Sequence, residues 1–121
     1  MATGIIDSHT HVDEYEAFGW FDPPEVLIGL LDEVGIEQAV VMTYADAPVL
    51  KTDALRYLHD ACRKYPDRLI PYARINPHAT GAALLEEAIV DLGMKGLKIH
   101  QESVTAAAHH DSVVRLVKKA A

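Results

Sequence analysis

His9 and His11 are separated by one residue and preceded by Asp7, in the run Ile5-Ile6-Asp7-Ser8-His9-Thr10-His11. Side chains two apart on a strand share a face, so Asp7, His9 and His11 are expected to project together while Ser8 and Thr10 face the other way. Two neutral imidazoles converging on one point suit a divalent metal, zinc first among them. Asp7 is then placed to accept a hydrogen bond or to lie beneath the ion. Two solvated histidines at the start of an acidic loop would show the same bare spacing. The context favours ligation, because the pair ends a strand that opens with Ile5 and Ile6, expected to be buried, and a site at the C-terminal end of a parallel strand is where barrel enzymes do their chemistry.

Other residues are candidates for the same site. Lys98 and His100 are again two apart on an expected strand and should face the same interior, with Lys98 either acting there or reaching past His100 to solvent. Arg74 shares a face with Tyr72 and Asn76; it either holds an anionic substrate or forms a surface salt bridge. Trp20 and Phe21 form either an apolar wall over the site or part of the core. Glu14 and Glu16 are acid-base candidates, with solvated carboxylates the simpler reading. His78, after Pro77, lies at the expected mouth. His59 is expected to be a partly exposed helical residue, and His109 and His110 to be loop residues ahead of an N-cap.

The elements that must position these groups alternate. Short Val- and Ile-rich runs are separated by stretches of helical periodicity, the pattern of a parallel sheet with crossover helices. The first strand runs from Gly4 through His11, and residues 13–22 form a long loop. Pro23 and Pro24 suit a first helical turn, Val26, Leu27, Leu30, Leu31 and Val34 recur at helical spacing, and Gly35 terminates the helix. Residues 38–43 form a second strand, apolar enough to be buried on both faces. Thr52 or Asp53 caps a second helix, which carries Cys62 and runs to about Tyr65, where Pro66 stops it. Leu69 to Ile75 is a third strand despite Pro71. Leu84, Leu85, Ala88, Ile89 and Leu92 mark a third helix closed by Gly93, residues 96–100 a fourth strand, and a last helix starts near Asp111 or Ser112.

Length and charge bound the reading. The chain of 121 residues suits one domain, and its 50% hydrophobic content suits a packed core. A net charge of -7, with the 11 Lys and Arg residues forming no basic footprint, speaks against nucleic acid as a partner. No apolar run is long enough to cross a bilayer, so no membrane partner is expected, and the N-terminus does not resemble an export signal. The single Cys62 fits a reducing compartment, and a cytoplasmic location is expected.

The segment Ile5-Ile6-Asp7-Ser8-His9-Thr10-His11-Val12 resembles the opening strand of the amidohydrolase superfamily, in its amidohydrolase-related branch. Residues 35–42, 68–77 and 95–100 are similar to that branch's second, third and fourth strands, so the resemblance spans the chain. Metal-dependent deoxyribonuclease barrels also open with a His-x-His strand; the four segments in order carry the choice. The resemblance implies one (βα)4 half, residues 1–121, of a TIM (β/α)8 barrel. It also implies a metal-dependent hydrolase acting on a small carboxylate, amide or lactone substrate through metal-activated water, with decarboxylation by a carbon-carbon lyase as the alternative. His9 and His11 match the first two metal ligands; Lys98 and His100 fall at the catalytic fourth strand, where a lysine in some members is carboxylated to bridge two metals. Arg74 and Trp20 are then substrate-binding residues.

A complete barrel has eight such units in roughly 250 residues. The further ligands that the resemblance implies, histidines on the fifth and sixth strands and an eighth-strand aspartate, have no counterpart here. Three expectations follow: part of a longer gene product, a natural half-barrel whose homodimer closes the sheet, or a non-catalytic half that only associates.

Overall fold

The four expected parallel strands are found in one sheet, although the fourth, expected over 96–100, ends at Lys98, so His100 follows the strand rather than sharing its alternation. The computed structural model describes residues 4–48, 51–78, 81–101 and 107–121. Strand β1 spans Ile6–His11, followed by two short strands, β2 (Asp13–Tyr15) and β3 (Trp20–Asp22), and helix α1 (Pro24–Val34). Then come β4 (Gln38–Met42), α2 (Ala54–Arg63), β5 (Leu69–Arg74), α3 (Gly81–Glu86), β6 (Gly96–Lys98) and α4 (Asp111–Ala120). The parallel sheet has the order β1-β4-β5-β6, and β2 and β3 form a separate two-stranded sheet. This is the (βα)4 arrangement of half a TIM barrel, with successive parallel strands adjacent and joined through helices.

Segment 13–22, expected to be a loop, is instead an antiparallel hairpin in which Asp13 pairs with Asp22, Glu14 with Phe21 and Tyr15 with Trp20. A 3-10 turn (Glu16–Phe18) and Gly19, at φ 67°, close it. Its aromatic residues lie against one another across the short ladder, a cross-strand stabilisation hidden from a reading of periodicity because each strand has only three residues. The second helix also starts differently from expectation. Asp53 occupies its N-cap position but makes no side-chain cap bond; Ala54 N–H donates to the Lys51 carbonyl instead. The third helix opens into a π-helical turn at Glu87–Asp91 before Gly93, at φ 63°, ends it. Pro71 lies within β5, and its carbonyl accepts from Lys95 N–H.

The two faces of the sheet differ. Ala39, Val41, Leu69 and Ala73 pack with Leu31, Leu55, Leu58, Cys62, Leu85 and Leu116 in one buried core beneath the helices. Burial of this contiguous apolar set is the main source of stability, at about 25 cal/mol per Å² removed from water. The opposite face carries Val40, Ile70, Tyr72 and Lys98, all half-buried. Ile5 and Ile6, expected to be buried, are 56% and 54% exposed. The reason is topological: β1 pairs only with β4, so it is an edge strand with nothing packed beyond it among the described residues. One clasp ties the first helix and its turn to the sheet. Arg68 donates to the Ile36 and Glu37 carbonyls and to Asp32 Oδ1, fastening the α1–β4 turn to the start of β5.

Candidate metal centre and active-site face

The β1 strand does not alternate strictly between Asp7 and Thr10. Asp7 is opposite Ala39 and Thr10 opposite Val41, so three steps along β1 match two along β4, a β-bulge at residues 8 and 9. Asp7 spends its carboxylate on this bulge, with Oδ1 accepting the His9 backbone N–H at 3.0 Å. The expectation that Asp7 shares the imidazole face through regular alternation is therefore corrected: an extra residue lies in between, and the carboxylate holds the backbone that aims His9. Thr10 fixes the other side, its hydroxyl donating to the Val40 carbonyl at 2.9 Å.

The His9 and His11 rings lie with centroids 5.0 Å apart and planes tilted by 49°. Two imidazoles on one tetrahedral ion, with metal–nitrogen bonds of about 2 Å, have centroids about 5 Å apart, the same separation as this pair. Among the described residues, no group of three or more His, Cys, Asp and Glu side chains is assembled for a metal. His11 has its pKa lowered to about 4, first by burial and then by the positive potential of His9, Arg74, Lys98 and His100. It is neutral at neutral pH, the protonation state of a ligand.

The register explains why Arg74 and Lys98 act on His11. Arg74 pairs with Lys98 and Tyr72 with Gly96, so the side chains of Arg74 and Lys98 stand side by side on the face opposite the helices. Gly96 is required there: a Cβ would lie 2.5 Å from the Tyr72 ring. Arg74 is neither a surface residue nor a partner in a surface salt bridge. It is 7% exposed, and its Nε donates to Oδ1 of the 2%-exposed Asp46 at 2.9 Å. That surface alternative is overturned because the loop after β4 folds over the end of β5, with Ala47 N–H bonded to the Arg74 carbonyl and Asn76 N–H to the Ala47 carbonyl.

An aromatic wall adjoins the imidazoles. The Tyr44 ring stacks on His11 at 4.7 Å and 9°, Trp20 lies 5.2 Å from Tyr44, and Phe18 and Tyr15 continue the row behind Trp20. Trp20 is half-buried in this row, whereas Phe21, on the other face of the hairpin, is 75% exposed and belongs to neither wall nor core. Burial raises the pKa of Tyr44, with the Asp22 carboxylate adding to the effect, so its hydroxyl stays protonated and can donate.

Asp13 was not singled out by sequence reasoning, yet it organises this corner. It is fully buried, and its two oxygens accept from the backbone N–H groups of Glu14, Tyr44 and Ala45 and from Lys51 Nζ at 2.9 Å. Lys51 also sits 3.9 Å over the Tyr57 ring, and the Tyr57 hydroxyl donates to Glu14 Oε2 at 2.9 Å. Burial, then this hydrogen bond, pushes the Tyr57 pKa far above its ordinary value. Nothing in the sequence distinguishes Asp13 from its acidic neighbours, since its partners other than Glu14 are 31 to 38 residues away. Glu14 is thus a hydrogen-bond partner of Tyr57, and Glu16 is an exposed residue of the 3-10 turn.

The remaining histidines divide. His59 Nδ1 lies 3.0 Å from the Leu92 carbonyl, tying α2 to the end of the π-helical turn. His110 is itself the N-cap of α4, its Nδ1 accepting Ser112 N–H, and is not merely a loop residue before the cap. His78 Nδ1 lies 3.3 Å from Ser112 Oγ, with the His110 ring edge-on at 5.2 Å, so His78 joins the α4 N-terminus.

Solved enzymes share this fold. No protein-family model matches the sequence, and no curated protein matches it. A probable 2-pyrone-4,6-dicarboxylic acid hydrolase from Acinetobacter baumannii, solved with citric acid, superposes with a TM-score of 0.67 at 19% identity, over 98% of this chain and 46% of its own. A 2,6-dihydroxybenzoate decarboxylase complexed with 2,6-dihydroxybenzoate superposes with a TM-score of 0.72 at 16% identity, over 98% of this chain and 47% of its own. A 5-carboxyvanillate decarboxylase from Novosphingobium aromaticivorans, with manganese and a nitrobenzoic acid, gives 0.63 at 24% identity, over 77% and 30%. The chain therefore spans about half the length, or less, of these neighbours. Among the described residues, no helix is long and apolar enough to cross a membrane.

Proposed function

We propose that this chain carries half of a metal-dependent active site that hydrolyses a small carboxylated substrate, with His9 and His11 holding a divalent ion. The single observation behind the reading is the 5.0 Å imidazole pair on one sheet face with Arg74 and Lys98. An ion bound there would supply an activated water and polarise a carbonyl. The chain's own groups supply the rest. Lys98 gives the face a positive charge that attracts a carboxylate, and Arg74, paired with Asp46, stands beside it as a fixed donor. His100 would move a proton. Trp20 and Tyr44 offer an aromatic surface that orients a flat substrate and keeps water off one side.

Decarboxylation is the second reading, favoured by that aromatic wall and by neighbours that are decarboxylases of ring carboxylates. Zinc and manganese both suit two imidazoles plus oxygen ligands, and the manganese belongs to a neighbour's structure. The decisive experiment loads the protein with Mn²⁺ or Zn²⁺, removes excess ion by dialysis and measures bound metal. Wild type should retain metal that the His9→Ala/His11→Ala variant loses; equal content in both ends the ligand assignment. Release of CO2 from a hydroxybenzoate, against ring opening of a pyrone carboxylate, separates the two chemistries.

A further inference from the structure

Both ends of the parallel sheet carry apolar surface, and they are complementary. Among the described residues, β1 is paired only with β4, and β6 only with β5. At the β1 end, Ile5 and Ile6 are exposed, and α1 exposes Val26, Leu30 and Val34 at successive four-residue steps along one stripe. At the β6 end, Leu97, Ile99, Val113 and Val117 line a cleft of about 270 Å³ between the strand and α4. One flank presents projecting apolar side chains and the other a recess.

The charges also have opposite sign. No Lys or Arg precedes Lys51 in the sequence, and α1 carries Glu25, Asp32 and Glu33. α4 carries Arg115, Lys118 and Lys119 against the single Asp111. Ion pairs within the chain engage Glu25 with Lys64, Asp32 with Arg68 and Lys119 with Glu86; Glu33 and Lys118 take part in none of the ion pairs among the described residues. Glu33 flanks the exposed Val34 on α1, and Lys118 flanks the exposed Val117 on α4.

We propose that the β1/α1 flank of one copy docks against the β6/α4 flank of a second copy, and reciprocally. The two four-stranded sheets then close into one eight-stranded parallel barrel. A twofold axis along the barrel keeps every strand parallel and makes two identical joints, each bringing an acidic flank to a basic one. Contact of α1 with α1 would set acid against acid, so the charge pattern selects the joint that closes the sheet. On the metal-site reading above, each joint also places Lys98 and His100 of one copy beside His9 and His11 of the other, so that each site draws on both copies.

Light scattering during size-exclusion chromatography of the 121-residue chain should give twice its 13.3 kDa mass. Glu33→Lys and Lys118→Glu, both at exposed positions, should each weaken association about tenfold, acting at two joints, while leaving the circular dichroism unchanged; the double variant should restore it. A monodisperse monomer at about 100 µM would mean that the flanks are covered by something other than a second copy and overturns the proposal. So does open-ended polymerisation, or a double variant as weak as the singles. The His9→Ala/His11→Ala variant should still dimerise, so loss of the metal assignment and loss of the interface are read separately.

Discussion

Removing the Asp13 carboxylate tests whether one buried charge holds the hairpin against the sheet. Asp13 is 0% exposed and the Lys51 side chain 9%, so this is an ion pair largely withdrawn from water. Taking away one partner leaves the other charge uncompensated, which costs about 3–5 kcal/mol. The same change strips the acceptor from Tyr44 N–H and Ala45 N–H. Because the hairpin can lift and admit water, the lower end applies, and Asp13→Ala should cost about 3 kcal/mol. For a chain of this size that corresponds to a fall of about 10 °C in Tm. Asp13→Asn retains one acceptor oxygen without the charge and should fall between. Lys51→Met, which removes the cation but leaves the backbone donors satisfied, should cost less than Asp13→Ala. Urea titration followed by far-ultraviolet dichroism measures the global loss, and fluorescence of the single tryptophan, Trp20, reports the hairpin. Asp13→Ala within 0.5 kcal/mol of wild type, on the order of an ordinary surface change, would refute the argument. An earlier Trp20 transition than the dichroism transition would show that the carboxylate secures the hairpin rather than the whole fold.

Two further outcomes follow from the geometry. Gly96→Ala should destabilise by about 1–3 kcal/mol, since the new Cβ meets the Tyr72 ring, and Tyr72→Ala made in the same chain should recover part of that loss in a double-mutant cycle. The Cys62 thiol, pushed up to about 12 by burial, should be inert to Ellman's reagent at pH 8 until the chain is unfolded. The sign of its linkage follows: the unfolded thiol ionises near 9 while the folded one stays neutral, so stability falls as pH rises from 9 toward 12, and Cys62→Ala should reduce that slope in alkaline urea titrations.

The alternation of apolar runs with helical periodicity was enough, by itself, to read the four parallel strands and their helices, because strand burial and helix amphipathicity are local patterns of period two and near four. The histidine pair was legible for the same reason: His9 and His11 are neighbours in sequence, so no tertiary contact is needed to bring them together. What lay outside the sequence reading depends on partners far along the chain. The bulge that turns Asp7 toward the His9 amide exists only in the register of β1 against β4. Burial of Arg74 depends on the Asp46 loop closing over β5, and Tyr44 becomes a wall only because β4 ends beside His11. Asp13 was unreadable because a carboxylate's role is set by what surrounds it, and its donors, Tyr44, Ala45 and Lys51, come from a different unit. Local periodicity determined the elements and the imidazole pair; only the tertiary structure decided which charges are buried, which are paired, and which flanks of the sheet stay open.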